Sequence, residues 1–386
     1  MAAELAPPRG AGRRRRLVPL VVALALVTSL AVRSAIASSG SADAGGRVLV
    51  TGLAMGSGST TMSSTALDRR LSDAESVGVG WVRVGLSWAA VQPYSPLASD
   101  WGAFDRVVAA AGSHHLKVLA VVGFTPGWAR PRDCAEYTCA PDHPAQFAAF
   151  VKTAAARYGD QVAAWEIWNE PNLEMFWQPA PNAAQYAQLL SLTASAVHSA
   201  VPGATVISGG LAMVPSSSRN VSGLDFLTWV CQRGGLAGVD GVGLHPYSSP
   251  VPPSYYATWS GWSQMWQTPV SAETILQGCG EGDKPLWLTE YGAPTNGPGP
   301  ASTPSNYELS SNPNHVDEAL QAEMASQSVS IAAGSPDVAA LFWYTDEDSA
   351  TFAFSNQGFY GLRTASGAAK PAWSALKSAL AQVTQG

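Results

Sequence analysis

Eight short apolar runs, each separated from the next by room for one helix, constrain this chain more than any other feature. They fall at 48–53, 81–85, 117–123, 164–169, 205–210, 241–245, 286–290 and 339–344, with centres 33 to 55 residues apart. Runs of this length, rich in Val, Ile, Leu and Trp, read as strands buried on both faces. The intervening segments carry apolar residues at helical spacing. Val107, Val108 and Ala111 do so within 104–114, Phe147, Phe150, Val151 and Ala154 within 145–158, and Tyr186, Leu189, Leu190, Thr193 and Val197 within 183–200. Strands alternating with helices imply a parallel sheet. Eight such units over residues 47–386 predict one α/β domain, a (β/α)8 TIM barrel. A doubly wound open sheet is the alternative, but no Gly-x-Gly-x-x-Gly follows the first run and the count of eight fits closure.

The first 46 residues stand apart from this pattern. Arg13, Arg14, Arg15 and Arg16 precede an apolar stretch, 17–32, broken only by Pro19, Thr28 and Ser29, and Ala35-Ile36-Ala37 follows. A basic, then apolar, then small-x-small order predicts a signal peptide over 1–37, with an uncleaved anchor as the alternative and a flexible Ser/Gly/Ala linker over 38–46. The expected destination is secreted, extracellular or the cell envelope. In an oxidising compartment the four cysteines can pair, and local closure favours Cys134–Cys139, leaving Cys231–Cys279. No Cys-x-x-Cys occurs and no His lies at ligand spacing from them, so no metal is expected.

Residues 1–37 hold six of the 22 basic residues but one of the 28 acidic ones, which leaves 16 basic against 27 acidic and a net charge of −11. Such a surface has no basic stripe for nucleic acid. The 14 Trp, 11 Tyr and 10 Phe supply too much buriable area for a disordered chain.

In a barrel of this type the functional groups sit where strands end. The fourth run ends in Asn169-Glu170-Pro171-Asn172, the sixth in His245-Pro246-Tyr247 and the seventh in Thr289-Glu290-Tyr291. The second run ends in Arg83 and then Trp88, Trp128 lies in the long loop after the third, and Trp343-Tyr344 closes the eighth. Two carboxylates among indoles suit a glycosidase, because sugar ring faces stack on aromatic rings and the acetal needs an acid and a nucleophile or base. Taken singly, each Glu has a plainer reading as an ion-pair or capping residue. Glu166, four residues deeper than Glu170 on the same parity, is expected to be a buried partner for Arg83. The aromatic stretch Tyr247, Tyr255, Tyr256, Trp259, Trp262 and Trp266 is either a packed helix face or a stacking platform.

Asn169-Glu170-Pro171 and Glu290 together resemble the signature of glycoside hydrolase clan A, the retaining (β/α)8 enzymes. The string Trp165-Glu166-Ile167-Trp168-Asn169-Glu170-Pro171-Asn172 and Gly243-Leu244-His245-Pro246-Tyr247 resemble family 39 and related secreted bacterial endoglycosidases, and family 5 cellulases share the layout. The resemblance runs from about Gly46 to the end. Family 39 xylosidases have Thr-Glu-Trp where this chain has Thr289-Glu290-Tyr291. The resemblance implies Glu170 as general acid/base, Glu290 as nucleophile and Asn169 on the 2-hydroxyl of the reacting sugar. It places His245 and Tyr247 beside the nucleophile, has Arg83 keep Glu290 ionised, and makes Trp343 the floor. Trp88 and Trp128 are further candidate substrate contacts.

The expected activity is endo-acting, retaining hydrolysis of β-O-glycosidic bonds in a polysaccharide or oligosaccharide. An exo-acting β-xylosidase-like enzyme and a catalytically silent glycan-binding envelope protein are the alternatives. No cofactor, nucleic acid or, in the mature form, membrane is expected as a partner, and the chain is expected to be a monomer. The acidic surface suits neutral or cationic glycans better than anionic ones.

Overall fold

The computed structural model describes residues 48–308, 314–351 and 355–383. The expected signal peptide and linker, 1–46, lie outside the described residues.

Nine parallel strands form one sheet: β1 Val50–Ala54, β2 Trp81–Ser87, β3 Lys117–Gly123, β4 Val162–Ile167, β5 Thr205–Ser208, β6 Leu211–Ala212, β7 Val242–His245, β8 Leu286–Tyr291 and β9 Val338–Tyr344. Their order is β5-β4-β3-β2-β1-β9-β8-β7-β6, so the first and last strands are neighbours. β5 and β6 are one stave interrupted at Gly209-Gly210. β5 pairs with β4 and β6 with β7, and a bridge between Ile207 and Gly241 joins the two sides. Nine segments therefore make eight staves, and the barrel closes.

The break in the fifth stave has a steric origin. A Cβ on Gly209 would lie 2.5 Å from the Trp168 carbonyl oxygen, and one on Gly210 would lie 2.1 Å from Nε2 of His245. Only glycine lets the neighbouring strand end and an imidazole approach the backbone this closely.

The helices follow the expected amphipathic segments, as at Gly102–Ser113, Pro144–Tyr158 and Ala183–Ala200. Their starts are set locally. Asn182 accepts hydrogen bonds from the amides of Ala184 and Gln185, and Asp317 accepts one from Leu320 at the start of Glu318–Ala333. Two apolar layers result. The barrel interior holds Leu119, Ala164, Ile207, Trp287, Ala340 and Phe342, and a larger outer layer lies between strands and helices. Cys134–Cys139 and Cys231–Cys279 are both disulfide-bonded, with Cα atoms 6.1 and 6.2 Å apart. The first pins the loop between β3 and the helix Pro144–Tyr158. The second ties the end of Gly223–Gln232 to the end of Ala272–Gly278. Among the described residues, no helix is long and apolar enough to cross a membrane.

Candidate active site

Arg83 organises the barrel mouth. It rises on the inward parity of β2, is 5% exposed, and spends its guanidinium on three residues from two other staves. Nε donates to Glu166 Oε2 at 2.6 Å and Nη2 to Glu166 Oε1 at 3.0 Å. Nη2 also donates to Asn169 Oδ1 at 2.7 Å, and Nη1 to Glu290 Oε1 at 2.6 Å. A buried guanidinium persists only when paired and hydrogen-bonded, and this one is satisfied on every face the strands present.

Glu290 is the penultimate residue of β8, where the pairing with β9 shifts register between Leu288 and Tyr291. Tyr247 donates its hydroxyl to Glu290 Oε2 at 3.0 Å, and His245 Nδ1 lies 3.8 Å from the same oxygen. Burial pushes the Glu290 carboxyl upward, but the charges on His245 and Arg83 and the hydrogen bonds from Tyr247 and Arg83 outweigh it. The carboxyl is held below its ordinary value. Tyr247 moves the other way: burial and the adjacent Glu290 charge push its hydroxyl well above the usual phenol range, so it stays a donor.

Glu170 reaches the same space by a different route. β4 ends at Ile167, short of the expected 169, because Trp168 and Glu170 adopt left-handed backbone with φ of 73° and 42°. Such residues cost on the order of 1–3 kcal/mol each and persist only when their surroundings hold them. Here the Trp168 amide donates to the Val122 carbonyl at 2.8 Å and its indole N–H to the Phe176 carbonyl at 2.6 Å, while the Glu170 amide donates to the Gly210 carbonyl at 3.0 Å. The carboxyl arrives with Oε1 2.8 Å from His245 Nδ1. For His245, burial opposes the charged form, but the nearby Glu290 and Glu170 carboxylates overcome it and raise its affinity for a proton.

Glu170 and Glu290 are nearly buried, with side-chain exposures of 13% and 14%, yet both face the cleft. One donor atom each from Glu170, His245 and Glu290 lies within 4.8 Å of the others. One oxygen of each carboxyl thus lies within 4.8 Å of the other, closer than the gap of about 6.5–9.5 Å that a water-bridged inverting pair needs. The trio has the spacing of a metal-binding set, but Arg83 already supplies the positive charge facing Glu290. The groups fit acid/base chemistry better.

Above them lies a cavity of about 520 Å³, with Arg83, Asn169, Glu170, His245, Tyr247 and Glu290 at its base and Phe124, Phe176, Met213, Tyr344 and Tyr360 on its walls. A second cavity of about 310 Å³ shares Met213, Val214, Tyr247 and Tyr360 with the first and extends to Trp259.

Six of the expected site residues therefore meet: Glu170, Glu290, Asn169, Arg83, His245 and Tyr247. Three do not line the cleft. Trp88 is fully buried under it, stacked on Phe150 and edge-on to Trp128 and Phe147, with its indole N–H satisfied by Gln92. Trp128 packs against Trp88 and donates to the Gln92 carbonyl. Trp343 has the wrong strand parity: it faces outward beside Tyr291, while Ala340, Phe342 and Tyr344 face into the barrel. Tyr344 occupies the place expected of Trp343, and the alternation along β9 carried that signal. Tyr360, from the loop after β9, had no local signal and reaches the cleft by contact with Tyr344 and Tyr247. The aromatic stretch after β7 divides: Trp262 is buried, whereas Trp259 is 49% exposed at the second cavity.

No protein-family model matches the chain. A stretch of 99 residues, 25% of this chain and 18% of the relative, is 40% identical to a β-xylosidase of Geobacillus stearothermophilus. A family 39 glycoside hydrolase from the gut symbiont Bacteroides cellulosilyticus WH2 superposes with a TM-score of 0.65 at 20% identity, covering 86% of this chain and 64% of that one. The GH5_18 structure from Streptomyces cattleya, in complex with GlcNAc, gives 0.61 at 18% identity over 88% and 81% of the two chains. This chain thus spans less than two thirds of the family 39 structure and matches under a fifth of the β-xylosidase. The fold is the (β/α)8 barrel found in glycoside hydrolases of families 39 and 5, the same families that the strand-four string resembles.

Proposed function

We propose that this protein is a secreted, retaining glycoside hydrolase that cleaves internal β-O-glycosidic bonds of a polysaccharide by double displacement. The observation that carries this reading is the pairing of Glu170 and Glu290, with oxygens within 4.8 Å of each other, His245 beside both, and Arg83 and Tyr247 bonded to Glu290 alone of the two. Glu290, held ionised by Arg83 and Tyr247, attacks the anomeric carbon. Glu170 protonates the departing oxygen. A covalent glycosyl ester on Glu290 results, and Glu170 then takes a proton from the water that hydrolyses it. Asn169, fixed by Arg83, is left to bond the 2-hydroxyl of the reacting sugar. The β configuration is the one named for the Geobacillus relative. Endo action is supported by the second cavity, which continues the first past Tyr247 and Tyr360 and gives a chain room to extend toward Trp259. Secretion is supported by the two disulfides.

The decisive test is kinetic. Glu290→Gln should abolish turnover of activated aryl β-glycosides, and a 2-fluoro glycoside should label Glu290 by mass spectrometry. An unchanged rate in Glu290→Gln ends the proposal. Product sizes from a panel of neutral polysaccharides decide the mode of attack: a ladder of oligosaccharides supports internal cleavage, whereas release of single sugars from chain ends makes the enzyme exo-acting.

A further inference from the structure

The groups around His245 form a directed hydrogen-bond chain whose polarity is fixed at one end. Oε1 of Glu166 accepts from three donors: Arg83 Nη2 at 3.0 Å, the Gly210 amide at 2.9 Å and the Thr289 hydroxyl at 3.0 Å. Its other oxygen accepts from Arg83 Nε at 2.6 Å. With both Glu166 oxygens already accepting N–H groups, two from Arg83 and one from Gly210, the one hydroxyl proton of Thr289 is directed at Glu166 Oε1. Thr289 then has only lone pairs left for its other neighbour, His245 Nε2, at 3.1 Å. Nε2 must therefore carry hydrogen. Gly210 leaves room for this contact, since a Cβ there would lie 2.1 Å from Nε2 and 2.6 Å from the Thr289 hydroxyl oxygen.

We infer that Thr289 is a positioning residue for the acid/base step, holding His245 in the Nε2–H form so that Nδ1 shares a single proton with Glu170. The inference rests on the hydrolase reading above and deepens it. With Nε2 occupied, the proton between Nδ1 and Glu170 Oε1 belongs to the pair, lying on one atom or the other along a 2.8 Å line. The groups facing His245 are consistent with this: Glu170 from the loop after β4, Glu290 and Thr289 from β8, Arg83 from β2 and Tyr247 from its own loop. The raised proton affinity of His245 agrees with it.

In the first step the C–O bond to the leaving group breaks, Glu290 forms its ester, and the shared proton moves to the departing oxygen. Glu170 is left as carboxylate and His245 neutral. In the second step water adds to the anomeric carbon, the ester breaks, and the water's proton returns to the pair. Without the Thr289 hydroxyl, Nε2–H loses its acceptor. The neutral ring can then place its proton on Nδ1, where it donates to a Glu170 carboxylate and removes the acid.

Two measurements test this. In wild-type protein, 15N NMR of His245 should show Nε2 protonated; an unprotonated Nε2 overturns the inference whatever the activity. Thr289→Val should slow glycosides with poor leaving groups about 10–100-fold, part of the roughly 10²–10⁴ that general acid catalysis supplies. Dinitrophenyl glycosides, which leave without protonation, should slow no more than about 3-fold, and Thr289→Ser should restore both. The alkaline limb of the pH–rate profile for poor leaving groups should move to lower pH in Thr289→Val alone. Equal losses for both leaving-group classes, or no loss, overturn it. If Thr289→Val does not fold, the wild-type tautomer decides. Absence of any glycoside turnover in wild-type protein would end the hydrolase reading and leave the tautomer result standing.

Discussion

The ends of β4 and β8 carry the same side chain to the same cleft and prepare it in opposite ways. Glu290 sits within its strand, at a register shift against β9, and is met by a guanidinium, a phenol and an imidazole. Glu170 sits on left-handed backbone beyond its strand, and its polar contact is the imidazole alone among the side-chain bonds described. What separates them is Arg83, whose fork reaches Glu166, Asn169 and Glu290 but not Glu170. A nucleophile needs its charge stabilised before the reaction; an acid needs a proton held loosely. The difference between the two carboxyls is thus built from one arginine's reach and one strand's early end.

Breaking each side separately should give distinct signatures. The largest effect is expected from Glu290→Gln, at least about 10⁴-fold on every leaving group, measured by steady-state kinetics. Glu170→Gln should cost about 10²–10⁴-fold on alkyl leaving groups and far less on dinitrophenyl ones. If the two variants behave alike on both substrates, the division of roles is wrong.

Removing Arg83 probes the cause of the asymmetry. Arg83→Met leaves Glu166 and Glu290 buried without their cation and should destabilise the fold by about 3–5 kcal/mol in denaturant titration. The sign of the pH dependence follows from Glu290. Its folded carboxyl is depressed below the ordinary 4.5, so its contribution to stability is present above that value and is lost as pH falls through the depressed one. The acid limb of wild-type kcat/KM should accordingly lie below pH 4.5 and move up in Arg83→Lys. The smallest effects concern the cleft's reach. Trp259→Ala should weaken polymer binding about 2–10-fold, in line with about 0.5–1.5 kcal/mol for an aromatic contact, and leave a short aryl glycoside unaffected. Trp88→Phe should lower stability by about 1–3 kcal/mol with kinetics unchanged, because the indole lies beneath the cleft rather than in it.

Much of the barrel was legible because strand spacing, apolar runs and helical periodicity are local properties. The segment 183–200 is helical over its whole expected length. The fifth stave was not legible as two pieces. Its break depends on how closely His245 and the Trp168 carbonyl press against Gly209 and Gly210, and no window of sequence contains that contact. Trp88 and Trp343 fail as cleft residues for related reasons. An indole near a strand end can turn toward core or solvent, and strand parity, rather than chemistry, chose between Trp343 and Tyr344.

By itself, then, the sequence determined the eight-fold alternation of strand and helix, the positions of Glu170 and Glu290 at strand ends, and the cysteines available for pairing. These follow from periodicity and from the rule that functional groups gather where parallel strands end. Only the tertiary structure decided that Arg83 spans three staves, that Thr289 stands between Glu166 and His245, and that Tyr360 arrives from a loop to wall the cleft. Those contacts join residues tens to hundreds of positions apart. They exist because a closed barrel forces strand ends into one small ring, where a buried charge must find its partners or not fold at all.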